Sequence, residues 1–266
     1  MRIAYPVMSP NAGVKLDNPE QLLSAVYSVD GSQNMELYDG VMRSRLGLIK
    51  LIAEALGSPV MRLDQFTTLD RAKYYMACTR TDIFYLDLSA LKPMFVTPTY
   101  TTGTIDVTNG DATIVGNGTA FLANIAAGDR LRLGTVNSGA FASQIWYTVL
   151  SVTDNTHLEL TVNYAESTLA TQVYTIRLVY NGGTTNYWDS CEFTDNSLGR
   201  IWIATNGVDP IQYWAATNQM VTLTGSPPLA KFVLPLLDRL FLGWCVVGGL
   251  NQPHQVQWSA AGLGTS

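Results

Sequence analysis

Lys73-Tyr74-Tyr75-Met76-Ala77, Arg200-Ile201-Trp202-Ile203-Ala204 and Arg239-Leu240-Phe241-Leu242-Gly243 are three versions of one pattern. Each sets a base, an apolar or aromatic residue, an aromatic, an apolar residue and a small residue in that order. Each base lies seven residues after an aromatic, Phe66, Phe193 or Phe232. Each copy then passes through a polar or glycine turn into a second aromatic-rich segment: Ile83-Phe84-Tyr85-Leu86, Ile211-Gln212-Tyr213-Trp214 and Val256-Gln257-Trp258. The turns are Thr79-Arg80-Thr81-Asp82, Thr205-Asn206-Gly207-Val208-Asp209-Pro210 and a turn at Gly248-Gly249. The unit reads as a β-hairpin whose first limb is apolar on both faces, hence an inner strand of its sheet. Recurrence of one supersecondary unit at a fixed register is the mark of a propeller or an array.

The spacing of the copies locates an insertion. The first two are 127 residues apart and the last two only 39. Residues 100–178 differ in texture, being rich in Thr, Tyr and Gly and carrying short alternating segments: Thr104–Val107, Ala112–Val115, Arg130–Leu133, Ile145–Val149, His157–Val162 and Val173–Ile176. Turn signals separate them at Asn109-Gly110-Asp111, Gly116-Asn117-Gly118, Gly128-Asp129 and Asp154-Asn155-Thr156. Six such strands predict a small β-barrel or sandwich. Removing these roughly 78 residues leaves a spacing near 49, inside the usual blade length of roughly 40–50. A surface loop accepts such an insertion at little entropic cost. The expected organisation is a lead-in and first blades over 1–99, an inserted β domain over 100–178 and further blades over 179–266. The fold class is all-β, a propeller or part of one.

Upstream of the first copy the chain is irregular. Asn18-Pro19-Glu20 caps a predicted short helix through Val26. Alternation over Gln33–Tyr38 followed by Asp39-Gly40 predicts a strand and a tight turn. Residues 48–56 fit a helix ending at Gly57 and a buried strand equally well.

Composition narrows the function. Of 266 residues, 47% are apolar and only 14% charged, so Thr, Ser, Asn and Gln carry most surface polarity. A surface of that kind suits a protein packed against partners. The net charge of −5, a pI near 4.9 and the lack of a basic run argue against a phosphate-gripping nucleic-acid binder. Cys78, Cys191 and Cys245 are an odd, unclustered set, which reads as buried free thiols made in a reducing compartment. Pro6 and Pro10 interrupt the apolar core a signal peptide would need. The most apolar stretch, Phe232–Leu250, contains Asp238 and Arg239, each worth roughly 2.5–3.5 kcal/mol against mid-bilayer insertion, and also Pro235. A hairpin carries no such penalty, and no membrane insertion is expected.

No motif signals catalysis, and no catalytic, cofactor-binding or metal site is assigned. His157 and His254 fall in different expected domains, and there is neither a G-x-S-x-G elbow nor a C-x-x-C or H-E-x-x-H pair. Asp106, Asn109 and Asp111 read as turn residues rather than calcium ligands, since the EF-hand spacing is missing. Gly116-Asn117-Gly118 lacks the Lys and following helix of a phosphate loop. Asn117-Gly118-Thr119 is a glycosylation sequon only in a secreted protein. Tyr187-Trp188, Tyr213-Trp214 and Trp258 could stack on sugars, but aromatics at this spacing in repeated sheets read first as packing between blades.

A resemblance sharpens the reading. Thr104-Ile105-Asp106-Val107, Gly118-Thr119-Ala120-Phe121, Gly128-Asp129-Arg130-Leu131, Trp146-Tyr147-Thr148-Val149 and Val152-Thr153-Asp154-Asn155-Thr156-His157-Leu158 resemble a small β module of tailed-bacteriophage structural proteins. Asn34, Asp39-Gly40, Arg43-Ser44-Arg45-Leu46-Gly47, Ala204-Thr205-Asn206-Gly207-Val208-Asp209-Pro210, Arg239-Leu240-Phe241 and Pro253-His254-Gln255-Val256-Gln257-Trp258-Ser259 resemble phage tail hub or nozzle proteins built on a β-propeller. That resemblance implies a structural, non-enzymatic virion protein made in the host cytoplasm. It implies a homo-oligomeric ring, six subunits being favoured, beside portal-adaptor and fibre proteins, with DNA passing without stable binding. The low pI fits a lumen that does not hold the polyanion. Such propellers have more blades than the three copies here, so the chain is not expected to close one alone. The missing sheets would come from a longer chain, the favoured expectation, or from neighbouring subunits. Two other classes fit the same strands: a carbohydrate-binding or hydrolytic propeller, and a tail-fibre or capsid-decoration protein.

Overall fold

The computed structural model describes residues 35–38, 41–44, 56–138, 144–182, 187–217 and 219–262. The chain divides into two compact units, residues 1–51 and 52–266. In the first, β1 (Met35–Tyr38) and β2 (Val41–Ser44) form an antiparallel hairpin with Tyr38 opposite Val41. The strand expected before Asp39-Gly40 is therefore present. The turn residues themselves, the helix expected over 18–26 and the ambiguous segment 48–55 lie outside the described residues.

The second unit begins with an antiparallel meander of β3 (Val60–Thr67), β4 (Lys73–Thr79), β5 (Ile83–Asp87) and β6 (Lys92–Phe95), paired in chain order. An eight-stranded antiparallel sheet follows. It comprises β7 (Thr99–Tyr100), β8 (Thr104–Val107), β9 (Thr113–Asn117), β10 (Arg130–Leu133), β11 (Tyr147–Val152), β12 (His157–Leu160), β13 (Leu169–Gln172) and β14 (Tyr174–Arg177). Their order is 13-8-9-12-11-10-14-7, and one turn of helix, α1 (Phe121–Asn124), crosses between β9 and β10. A second meander runs β15 (Asp189–Asp195), β16 (Gly199–Thr205), β17 (Gln212–Trp214) and β18 (Val221–Thr222). A third has three strands, β19 (Leu229–Leu236), β20 (Arg239–Val247) and β21 (Leu250–Trp258).

The repeated pattern marks β4, β16 and β20, and each is flanked by paired strands on both sides. Strand β16 shows why such a strand is apolar throughout. Trp202 and Ala204 pack toward the first meander, while Ile201 and Ile203 pack toward the third. With side chains alternating across a strand, a sheet covered on both faces needs apolar residues at every position. Strand β20 achieves the same inward set with an irregularity. Trp244 has φ +55, and the β20–β21 register shifts between Gly243 and Cys245, so Cys245 joins Leu240 and Leu242 in the core.

The third copy departs from the expected equivalence. Phe66 and Phe193 are buried, opposite Tyr74 and Ile201, whereas Phe232 is 54% exposed and sits opposite Gly243. The cause is turn length. Leu236 pairs with Arg239 across the tight turn Leu237-Asp238, both with positive φ, while longer turns precede β4 and β16. Pro235, opposite Leu240, takes the place in the ladder that Phe66 and Phe193 hold.

Of the insert strands, six are those anticipated from alternation; β7, β13 and α1 are additional. Ile105, Ile114, Phe121, Leu131, Leu158, Tyr174 and Ile176, from nearly every element, share one core, so the sheet curls over itself. Its ends, β13 and β7, do not pair, and it is not a closed barrel. Thr99 lies opposite Arg177, so the chain enters and leaves this sheet at adjacent points. The three meanders stack face to face in succession through two apolar clusters. The protein is all-β, and none of its sheets closes among the described residues.

Candidate interaction surface

Each meander interface is an apolar layer with a polar seam, and the seam runs along the first strand of each sheet. Trp214, 1% exposed, wedges between Phe66, Tyr74 and Tyr85 of the first meander, with ring centroids 6.0, 5.0 and 5.5 Å away. Its indole N–H donates to the Thr217 carbonyl at 2.8 Å. Trp188 donates to the Thr79 carbonyl at 2.7 Å, and Trp202 to Asp64 at 3.1 Å. Trp188 and Trp202 are thus polar-satisfied across the sheet boundary, and Trp214 by a carbonyl of its own meander.

In the seam, Arg62 of β3 donates to Asp189 and to the Ser190 carbonyl of β15, both at 3.2 Å. Ser190 donates to Asp64 at 2.6 Å, and the Thr67 amide to Glu192 at 2.7 Å. Asp189 also accepts the Val233 amide of β19 at 3.0 Å, so one carboxylate ties all three meanders. On the far side of the first meander, Ala77, Phe84 and Phe95 are capped by Val136 and Trp146, which lie in the β10–β11 connection of the eight-stranded sheet.

The third meander has no such cover on its outer face among the described residues. Cross-strand register aligns Leu234, Phe241 and Trp258 in one row and Phe232, Gly243 and Val256 in the next. Residues in register stand side by side on one face. Phe232, Leu234, Val256 and Trp258 are 54, 59, 53 and 62% exposed, and Leu236 beside them 50%. Trp258 lies 6.0 Å from Phe241, and Lys231 caps the Trp244 ring at 4.2 Å. The composition matches the faces that the other meanders bury. Contiguous apolar surface of this kind marks an interaction site in a natural protein. Strand β19 is thus both a free edge of its sheet among the described residues and part of this open face.

The residues singled out for chemistry separate into structural roles. His157 is paired with Asp154 at 3.1 Å in a surface turn, where Asp154 also accepts the Thr156 amide at 2.7 Å. Those hydrogen bonds, the backbone one first, hold the Asp154 carboxyl down at about 2. His254 is exposed on β21, far along the chain from any of these partners. Asp106 accepts the Thr171 amide, Asp111 the Thr113 amide, and Asn109 donates to the Glu166 carbonyl. No group of three His, Cys, Asp or Glu side chains among the described residues could hold a metal. Gly116-Asn117-Gly118 packs against Gly103, where an added Cβ would stand 2.4 Å from the Asn117 carbonyl.

Of the aromatics proposed for stacking, Trp188 and Trp214 are buried in the first seam, Tyr213 is half-buried, and Tyr187 and Trp258 are exposed. The three thiols are free. Burial raises all of them, Cys191 to about 12.

No protein-family model matches the chain, and no curated protein matches it. Among solved structures, the phage phi92 endosialidase aligns over 79% of this chain and 38% of its own, at 15% identity and a TM-score of 0.21. The chain thus spans well under half of that protein, and a superposition this loose carries no argument about fold or activity.

Proposed function

We propose that this chain is a structural subunit of a phage tail, assembled into a hub or nozzle ring around the DNA path. The observation that carries the proposal is the outer face of β19–β21. Two successive faces of the same kind are buried by the next meander, and the third presents Phe232, Leu234, Leu236, Val256 and Trp258 to solvent. A subunit with such a face is built to be covered by another sheet in its assembled state. The resemblance of the insert to a β module of tailed-phage structural proteins, and of the flanking hairpins to tail hub or nozzle proteins, supplies the setting. The net charge of −5 suits a wall past which DNA moves without being held.

Quantitative mass spectrometry of purified virions tests the reading. A structural subunit is present at a small, fixed multiple of the portal protein. Absence from the particle sinks the proposal. A copy number in multiples of three with antibody label at the tail periphery would assign the chain to a fibre instead.

A further inference from the structure

Where the eight-stranded sheet meets the first meander, a cavity of about 180 Å³ is lined by Ser58, Asp82, Arg130, Gln144, Trp146 and Arg177. We infer that it is a binding site for a small oxyanion, a carboxylate or a phosphate, held between the guanidinium groups of Arg130 and Arg177. The register of β10 against β14 puts these two arginines directly opposite each other. Like charges facing across an antiparallel pair destabilise the sheet unless something lies between them.

Arg177 is held by its surroundings at one end only. Its side chain is 8% exposed, its Nε lies 2.8 Å from Asp82 Oδ1, and its guanidinium carbon sits 4.3 Å and 4.6 Å from the Phe95 and Trp146 ring centres. Asp82 is itself occupied, accepting the Thr81 hydroxyl at 2.7 Å. The terminal nitrogens of Arg177 have no hydrogen-bond acceptor among the described residues, and Arg130 has neither an acceptor nor an acidic partner there. Burial, only partly offset by Asp82 and worsened by Arg130, lowers Arg177 to about 10. The nearby Asp129 does not answer the charge, since its two oxygens accept the Ala126 and Val179 amides.

Two cations thus face one anion around a space far larger than the ~10–15 Å³ one water needs. A planar or tetrahedral oxyanion supplies what the pair lacks, because a guanidinium fork donates two parallel bonds to such a group. The ring faces of Phe95 and Trp146 fix the Arg177 plane in advance, so little ordering is left to binding. The size admits inorganic phosphate or a short-chain carboxylate. An occupant would also join β14, the strand leaving the eight-stranded sheet, more firmly to the β4–β5 turn that carries Asp82.

Thermal unfolding of the full chain, titrated with inorganic phosphate or with succinate at an ionic strength fixed with sodium chloride, tests the assignment. The wild-type midpoint is expected to rise and saturate with at least one of the two, and which one names the chemistry. Arg130→Gln is expected to weaken the titration at least tenfold. In chloride alone it should leave the midpoint unchanged or raise it, since it removes one of two opposed charges. Multivalent anions also stabilise proteins generally, so an equal rise for wild type and Arg130→Gln overturns the site. So does no rise with either anion, or a chloride midpoint that falls on substitution.

Discussion

Trp214→Ala removes the side chain that locks the first two meanders together. The indole is 1% exposed and meets three aromatic rings of the neighbouring sheet. Truncating a buried Trp costs about 3–5 kcal/mol from lost transfer energy and the cavity left behind. In a unit of this size that lowers the melting midpoint by about 6–20 °C. The Thr217 hydrogen bond is local, so it contributes only about 1 kcal/mol of the loss. A double-mutant cycle isolates the part that crosses the sheets. Trp214→Ala, Tyr74→Ala and the pair together should give a coupling of about 0.5–1.5 kcal/mol for the ring contact at 5.0 Å. Urea unfolding followed by near-UV circular dichroism reads both quantities. A single-mutant loss below about 1 kcal/mol, or a coupling indistinguishable from zero, would refute face-to-face stacking of the two meanders.

Three further outcomes follow from the same geometry. Leu234→Ser with Trp258→Ser should leave the stability of the isolated chain within about 0.5 kcal/mol, as exposed substitutions do; sedimentation velocity should show self-association lost at concentrations where the wild type assembles. Gly103→Ala forces a Cβ to within 2.4 Å of the Asn117 carbonyl at φ +81, and should cost about 1–3 kcal/mol by chemical denaturation. The Asp154 carboxyl is held at about 2, below its unfolded value of 3.8, so its contribution is complete above pH 4 and is lost as pH falls from about 4 to 2. The urea midpoint of Asp154→Asn should therefore lie below wild type at pH 6 and converge with it near pH 2.

How much of this was legible depends on whether the signal was local. The inner strands β4 and β16 were readable because a sheet covered on both faces leaves an unbroken apolar run, and β20 because its bare outer face is apolar as well. Strands β8 to β12 and β14 were readable from alternation bounded by Asn, Asp and Gly turns. Strand β13 was not, because Leu169–Gln172 has three exposed residues and no buried face to impose a period of two. The two residues of β7 are too few to show any period. The equivalence of Phe232 with Phe66 and Phe193 failed because constant spacing along the chain is not constant register. A shortened turn moved the ladder by three residues and turned Phe232 outward.

The interaction surface was half visible. Its apolar residues stand out in the sequence, but whether they line an edge or a face depends on which strands pair. The Arg130–Arg177 juxtaposition could not be seen at all, since 47 residues separate the two positions and only the β10–β14 register brings them together. The expectations about histidines and turn carboxylates came from local chemistry. His157 opens β12 beside the Asp154 turn and Asp111 sits in the β8–β9 turn. Asp106, expected in a turn, instead lies within β8 and accepts the Thr171 amide of β13, a contact that only the β8–β13 pairing creates.

The location of the chain in a map of the intact phage particle tests the central claim most directly. Density for the three stacked meanders is expected in the tail, in a ring about the DNA axis, with the outer face of β19–β21 covered by a neighbouring sheet. Density for this chain elsewhere in the particle, or a tail ring in which Phe232, Leu234 and Trp258 stay bare to solvent, would contradict it.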